Sequence, residues 1–151
     1  MARSLTAAQE RAWRPYIEAS LRLETRLDER LRENAGITLM DYHLLRLLAN
    51  APQRRLRMSE LAEKMVFSRS RTTYQITAMA KRGLVLREPV PEDGRGYRAV
   101  LTASGADVLR QAVPLHTDAV RELFFDHVEP DELKVIERAF TRLHQHLESQ
   151  H

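Results

Sequence analysis

Arg69, Ser70, Arg71, Thr73, Tyr74 and Thr77 place donor-rich side chains within nine consecutive residues that contain no acid. Such a set suits recognition rather than reaction. An arginine can hold the two acceptors of a guanine edge together, a threonine methyl can lie against thymine, and hydroxyls serve base edges or phosphates. Thr72, Ile76 and Met79 recur at intervals of four and three, so on a helix they share one face and leave the donors on the other. Ser68 is a good N-cap for that helix, whose first turn then offers free backbone N–H groups to a phosphate. A merely solvated polar face is the plainer alternative, although such faces usually carry acids as well.

A second group follows closely. Asp93-Gly94-Arg95-Gly96 sets one arginine between glycines inside the polar run Pro91–Gly96. A narrow, protruding arginine fits a minor groove, where negative potential is strongest. Asp93 stands where it can orient that guanidinium through an ion pair. Taken alone the run is equally an exposed β-turn; its place directly after the donor-rich helix argues for more.

No comparable set supports catalysis. The chain has no phosphate loop, no His-Glu-x-x-His zinc motif and no glycine-flanked nucleophile. Asp41, Tyr42 and His43 are consecutive, and consecutive residues on a helix do not face one another. There is no cysteine, which removes disulfides, thiol chemistry and cysteine zinc sites together. Of six histidines, His144 and His146 are two apart and diverge on a helix. His43 and His116, with an acid such as Glu24, are the combination that could converge on a metal. Titrating surface histidines are the plainer reading, and neither a metal site nor a cofactor is assigned.

Charge is distributed unevenly. Between Gln53 and Arg98 stand eleven Lys or Arg against five acids, a local balance of +6 in a chain whose total is +3. A basic middle with acidic flanks is what a nucleic-acid module with separate assembly arms would show. The charged, polar N-terminus predicts no secretory signal, and no apolar run approaches a membrane span. A cytoplasmic protein with no membrane partner is expected.

The elements that must carry these residues follow from local signals. Thr6 and Gln9 form a capping-box pattern ahead of Trp13, Ile17, Leu21, Leu27 and Leu31, a helix that Pro15 should kink or restart and that Asn34 and Gly36 end. Thr38 and Asp41 open a second helix, closed near Ala51-Pro52. A basic loop from Gln53 to Arg57 leads to a short helix, Met58 to Met65, and then to the donor-rich helix, stopped by Gly83. Leu84–Glu88 and Tyr97–Leu101 read as two strands of a hairpin. Thr102 caps a long helix to about His127 that Pro114 should bend or interrupt. Pro130 starts a last helix with Leu133, Ile136, Phe140, Leu143 and Leu147 on one face.

The fold class expected is therefore mainly α with a small β-hairpin wing: a winged helix-turn-helix at residues 37–102 and dimerisation helices at 5–34 and 103–148. Together, residues 1–151 make a single domain. The apolar stripes of the terminal helices call for a second copy of the chain to cover them; packing within one chain is the alternative.

Three runs bear a family resemblance. They are Met58-Ser-Glu-Leu-Ala62, Ser68-Arg-Ser-Arg71 through Lys81-Arg-Gly-Leu-Val85, and Asp93-x-Arg95 continuing to Leu101-Thr-x-x-Gly105. In this order and spacing, the stretch from Gly36 to Leu109 resembles the multiple-antibiotic-resistance regulator (MarR) family of bacterial transcription factors. The resemblance implies an obligate homodimer with the first, fifth and sixth helices intertwined, bound to a palindromic operator in double-stranded DNA, often as a repressor. By position, Ser70, Arg71, Thr73, Tyr74 and Thr77 would face the major groove, and Arg95 would be the wing-tip arginine. It also implies release by a small aromatic or anionic effector, for which Trp13, Tyr16, Tyr42, His43 and Arg46 are the candidate lining. Aromatics on amphipathic helices are as readily core.

Three positions depart from the family pattern. Tyr74 stands where arginine is common, Gln75 where an apolar residue is common, and Gly94 where a second wing arginine is common. Peroxide sensing, which needs a reactive cysteine in this family, is not expected. The rival reading is a winged helix used for protein–protein contact, which would call for an acidic or apolar recognition face.

Overall fold

Capping chemistry sets the first two helices of the computed structural model, which describes residues 4–150; Met1, Ala2, Arg3 and His151 lie outside the described residues. Thr6 accepts from the Gln9 N–H, and the Gln9 side chain accepts from the Thr6 N–H, opening α1 (Ala7–Ala35). Gly36, in the left-handed region at φ 66°, ends it. The same reciprocal box, Thr38 with Asp41, opens α2 (Leu39–Asn50). Of the kink or restart expected at Pro15, the restart does not occur: α1 is one element through it. Residues 11–16 are all exposed, so the carbonyl that loses its donor at Pro15 faces water and the helix continues at little cost.

The expected basic loop is instead a short turn and a strand. Pro52–Arg54 forms a 3₁₀ turn, and β1 (Arg55–Arg57) pairs antiparallel with β3. Two short helices follow, α3 (Met58–Met65) and α4 (Arg69–Lys81). Between them Val66 adopts φ 57°, a left-handed conformation that costs a β-branched residue strain. The hairpin is longer than its alternation suggested: β2 (Val85–Val90) and β3 (Asp93–Leu101) extend the strands to the tip. The sheet order is β1-β3-β2, so β3 is central, with Leu56 opposite Ala99 and Arg87 opposite Ala99 on its two sides.

α5 (Ala103–Leu123) runs through Pro114 as one element and stops short of His127, where a 3₁₀ turn (Phe125–His127) intervenes before α6 (Pro130–Glu148). Its start is fastened to the end of α4. Thr102 donates its hydroxyl to the Gly83 carbonyl at 2.6 Å, its N–H to Leu84 O, and accepts from the Gly105 N–H. Only glycine fits at 105, because a Cβ there would stand 2.0 Å from the Leu84 carbonyl oxygen.

The chain has two compact units, one ending at His116 and one beginning at Thr117. The core of the first is apolar and continuous from the end of α1 through α2, α3 and α4 to the sheet: Leu31, Leu44, Leu45, Leu48, Leu61, Ile76, Met79 and Val85 are all fully buried. In the second, α6 buries no residue, and Leu133, Leu143 and Leu147 are exposed. Among the described residues, no helix is long and apolar enough to cross a membrane.

Candidate nucleic-acid interface

Ser68 accepts from the Arg71 N–H at 3.2 Å and so anchors the start of α4, while Thr72, Ile76 and Met79 face the core as their spacing predicts. This fixes which residues remain outside. Arg69, Ser70 and Arg71 are exposed at the first turn, Tyr74 is 75% exposed, and Thr73 and Thr77 are half-buried beside them. No acid lies anywhere on α4. The Arg71 guanidinium lies 3.9 Å over the Phe67 ring, an arrangement that restrains a long side chain before it meets a ligand.

The wing faces the start of this helix. Asp93 acts on Arg95 through the backbone: its Oδ1 accepts the Arg95 N–H at 3.2 Å. No ion pair joins the two side chains among the described residues, so Asp93 shapes the turn and leaves the guanidinium of Arg95 exposed. Gly96 leaves room for the Asp93 carboxylate, whose Oδ2 would lie 2.8 Å from a Cβ at that position. At the base of the wing Glu88 receives Arg55 at 3.0 Å and Arg98 at 2.5 Å, tying all three strands together. Arg87 stacks on Tyr97 at 4.1 Å.

Between wing and helix lies a groove of about 370 Å³ that gathers Arg57, Arg69, Arg87 and Arg95. Among the described residues, no carboxylate lies within ion-pair distance of any of the four guanidinium groups. The four cations outnumber the one carboxylate that lines the groove, Asp93, so they repel one another, and a polyanion in the groove relieves that cost. Of the sequence candidates, Arg69, Thr73, Asp93 and Arg95 line this groove, whereas Ser70, Arg71, Tyr74 and Thr77 lie outside it on α4. Arg57 and Arg87 escaped the sequence reading. Arg87 sits on the edge strand opposite Ala99, and the position of Arg57 depends on β1, which was not foreseen.

The geometry has close counterparts. Residues 35–96 match the MarR family. The transcriptional regulator HosA of Escherichia coli O111:H- is 31% identical over 100 residues, 66% of this chain and 72% of that protein. The chain belongs to the MarR family. Among solved structures of this family, Sco3205 of Streptomyces coelicolor, a transcriptional regulator solved in complex with DNA, is 41% identical. The match covers 97% of this chain and 92% of that one, with a TM-score of 0.92. AbsC, a MarR family regulator from the same organism, is 36% identical over 98% of this chain and 99% of its own, with a TM-score of 0.90. The present chain is thus a MarR-family transcriptional regulator with a winged-helix fold.

Part of the candidate effector lining also comes together. Tyr42, His43 and Arg46 of α2 join Lys64 and His116 around a cavity of about 480 Å³. Tyr42 stacks on His116 with ring centroids 4.3 Å apart, and the His43 ring lies 6.4 Å from that of His116. Burial, then the Arg46 cation, holds His43 below the ordinary imidazole range, with Glu24 opposing. Burial, then His43 and Arg46, does the same to His116. Both shifts favour the neutral rings, and Arg46 and Lys64 are the basic side chains that line the cavity. Trp13 and Tyr16 are elsewhere: they pack on each other at 5.5 Å along α1, with Trp13 half-exposed. His43 and His116 do converge, but among the described residues no group of three His, Asp or Glu is placed to hold a metal ion.

Proposed function

We propose that this MarR-family regulator is a cytoplasmic homodimer that reads a palindromic operator and represses transcription from it, acting by binding without a chemical step of its own. The reading rests on the groove in which Arg57, Arg69, Arg87 and Arg95 stand together without acid partners. Two α4 helices enter successive major grooves, about one helical turn apart, with Arg69, Ser70, Arg71, Thr73, Tyr74 and Thr77 toward base edges and phosphates. Arg95 enters the flanking minor groove, and the strand between the two grooves runs through the arginine channel. The DNA-bound state of the 41% identical Sco3205 supports the same mode here.

Exposed apolar residues on the two terminal helices support the dimer. Trp13 and Leu21 on α1, and Leu133, Leu143 and Leu147 on α6, remain open to water in a single chain. Each is already about half covered, so burying the rest in a partner gains about 0.7–1.5 kcal/mol. The cavity around Tyr42, His43, Arg46 and His116 supports control by a small aromatic anion, stacked on the rings and paired with Arg46. Such a ligand loosens DNA binding tenfold if it distinguishes the two states by about 1.4 kcal/mol.

Selection from random-sequence duplexes, repeated at two salt concentrations, tests this. The expected result is a palindrome with half-sites about ten base pairs apart, bound by a species of dimer mass in sedimentation. Weak, sequence-blind binding that disappears with modest salt would reduce the groove to an electrostatic surface.

A further inference from the structure

Asp41 is buried to 2% exposure, a costly place for a carboxylate unless it is paired and hydrogen-bonded. Both of its oxygens are engaged. Oδ2 accepts from the Thr38 N–H at 3.0 Å and from Arg82 Nη1 at 2.7 Å, and Oδ1 accepts from Gln75 Nε2 at 2.7 Å. The other arm of Arg82 donates to the Gly36 carbonyl at 2.6 Å, where α1 ends. Gln75 on α4 and Arg82, the residue that caps its end, are seven residues apart, hence close to one line along the helix and about 10 Å from each other. A single carboxylate at the start of α2 therefore holds the recognition helix at two points, and the same arginine joins it to the turn between α1 and α2.

Thr102 also ties the chain just beyond the end of α4, through Gly83 and Leu84, whereas the attachments along the body of the helix are of another kind. Thr72, Ile76 and Met79 are buried, and because apolar burial has no preferred direction it sets a rotation less sharply than hydrogen bonds do. Thr73 and Thr77 lie about 160° around the helix from Gln75 and Arg69 and Ser70 about 120–140°, so most of the reading face is turned away from the anchored line, with Tyr74 about 100° and Arg71 about 40° from it. Turning α4 by about 20° moves a side-chain tip at about 5–6 Å radius through roughly 2 Å. The distance range of a base-edge hydrogen bond spans only about 0.5 Å.

We infer that Asp41, through Gln75 and Arg82, is a positioning residue that sets the rotation of α4 and with it the ability of the regulator to tell its operator from near relatives. The inference rests on the proposed reading of DNA by α4. It also explains why a polar residue occupies position 75: the amide is the second anchor of a buried carboxylate.

The experiment uses the full chain, the best duplex recovered by selection with the wild-type protein, single-base variants of it, and a scrambled duplex. Gln75→Leu and Asp41→Asn are compared with wild type for melting temperature, salt dependence and discrimination between duplexes. Gln75→Leu is expected to lose about tenfold in discrimination, the worth of one base contact, with its binding to the scrambled duplex and its salt slope retained. A purely structural role would weaken all duplexes in parallel with the melting temperature. Discrimination within about twofold of wild type in folded Gln75→Leu would overturn the inference while leaving the DNA-reading function intact. If that variant fails to fold, the same ratio measured on Asp41→Asn decides. A wild-type protein that does not discriminate at all overturns the proposed reading and this inference with it.

Discussion

Replacing Arg87 by glutamine separates a phosphate contact from a packing role. Arg87 is exposed, lies 4.1 Å over Tyr97, and lines the groove without an acid partner. Loss of an exposed cation–π contact costs about 0.5–1 kcal/mol, so the variant remains folded. If each Arg87 of a dimer neutralises one phosphate, the slope of log K against log salt becomes shallower by about 1.8, or 0.9 per contact. Between about 50 and 200 mM salt, the wild type then loses roughly twelvefold more affinity than the variant does. Fluorescence anisotropy with the selected duplex across that range reads the difference. An affinity loss with an unchanged slope would refute the reasoning: Arg87 would then only brace Tyr97, and the groove would not be the path of the DNA strand.

Other expectations concern the scaffold. Gly105→Ala should lower stability by about 3 kcal/mol or more, because its Cβ would sit 2.0 Å from the Leu84 carbonyl oxygen; thermal melting reads this as a fall of roughly 6–12 °C. Val66→Gly should raise stability by up to about 1 kcal/mol, as the left-handed strain at φ 57° exceeds the entropy that glycine loses; an unchanged or lower melting temperature would contradict it. His43 and His116 have folded-state pKa values below the ordinary one, so their neutral forms stabilise the fold above pH 6.5, and that contribution declines as pH falls below it. Melting temperature should therefore drop between about pH 7 and pH 5, and the drop should shrink in His43→Gln/His116→Gln; equal slopes in both proteins would refute it.

Much of the architecture was written in short stretches of sequence. The reciprocal boxes at Thr6 and Thr38, the Ser68 cap and the buried line Thr72-Ile76-Met79 all depend on residues within a turn or two of each other, and each stands where its spacing put it. What was hidden depended on distance along the chain. β1 is three residues, Arg-Leu-Arg, with no strand pattern of its own; it exists because Leu56 meets Ala99. Asp41 read as the reciprocal partner of Thr38 at the start of α2, and it is, but its other partners Gln75 and Arg82 are 34 and 41 residues away. Arg57 and Arg87 joined the groove for the same reason, through strand register. Pro15 does not restart α1 because the carbonyl it frees lies on an exposed stretch and can turn to water. Trp13 and Tyr16 carry the right chemistry for a ligand cage, but on a part of α1 that does not line the cavity.

The knot of hydrogen bonds at Thr102 has a consequence for how regulators of this shape can diverge. Because Leu84 and Thr102 are tied to each other, residues 85–101 form a closed excursion whose two ends stay put whatever happens at its tip. Neither the exit of α4 nor the start of α5 depends on the length of the hairpin. Adding a pair of residues to each strand at Pro91–Gly94 would push the wing outward by about 7 Å, close to the rise of two base pairs. Wing reach is thus a variable that selection can alter alone, a ruler attached at one end to an unchanging frame.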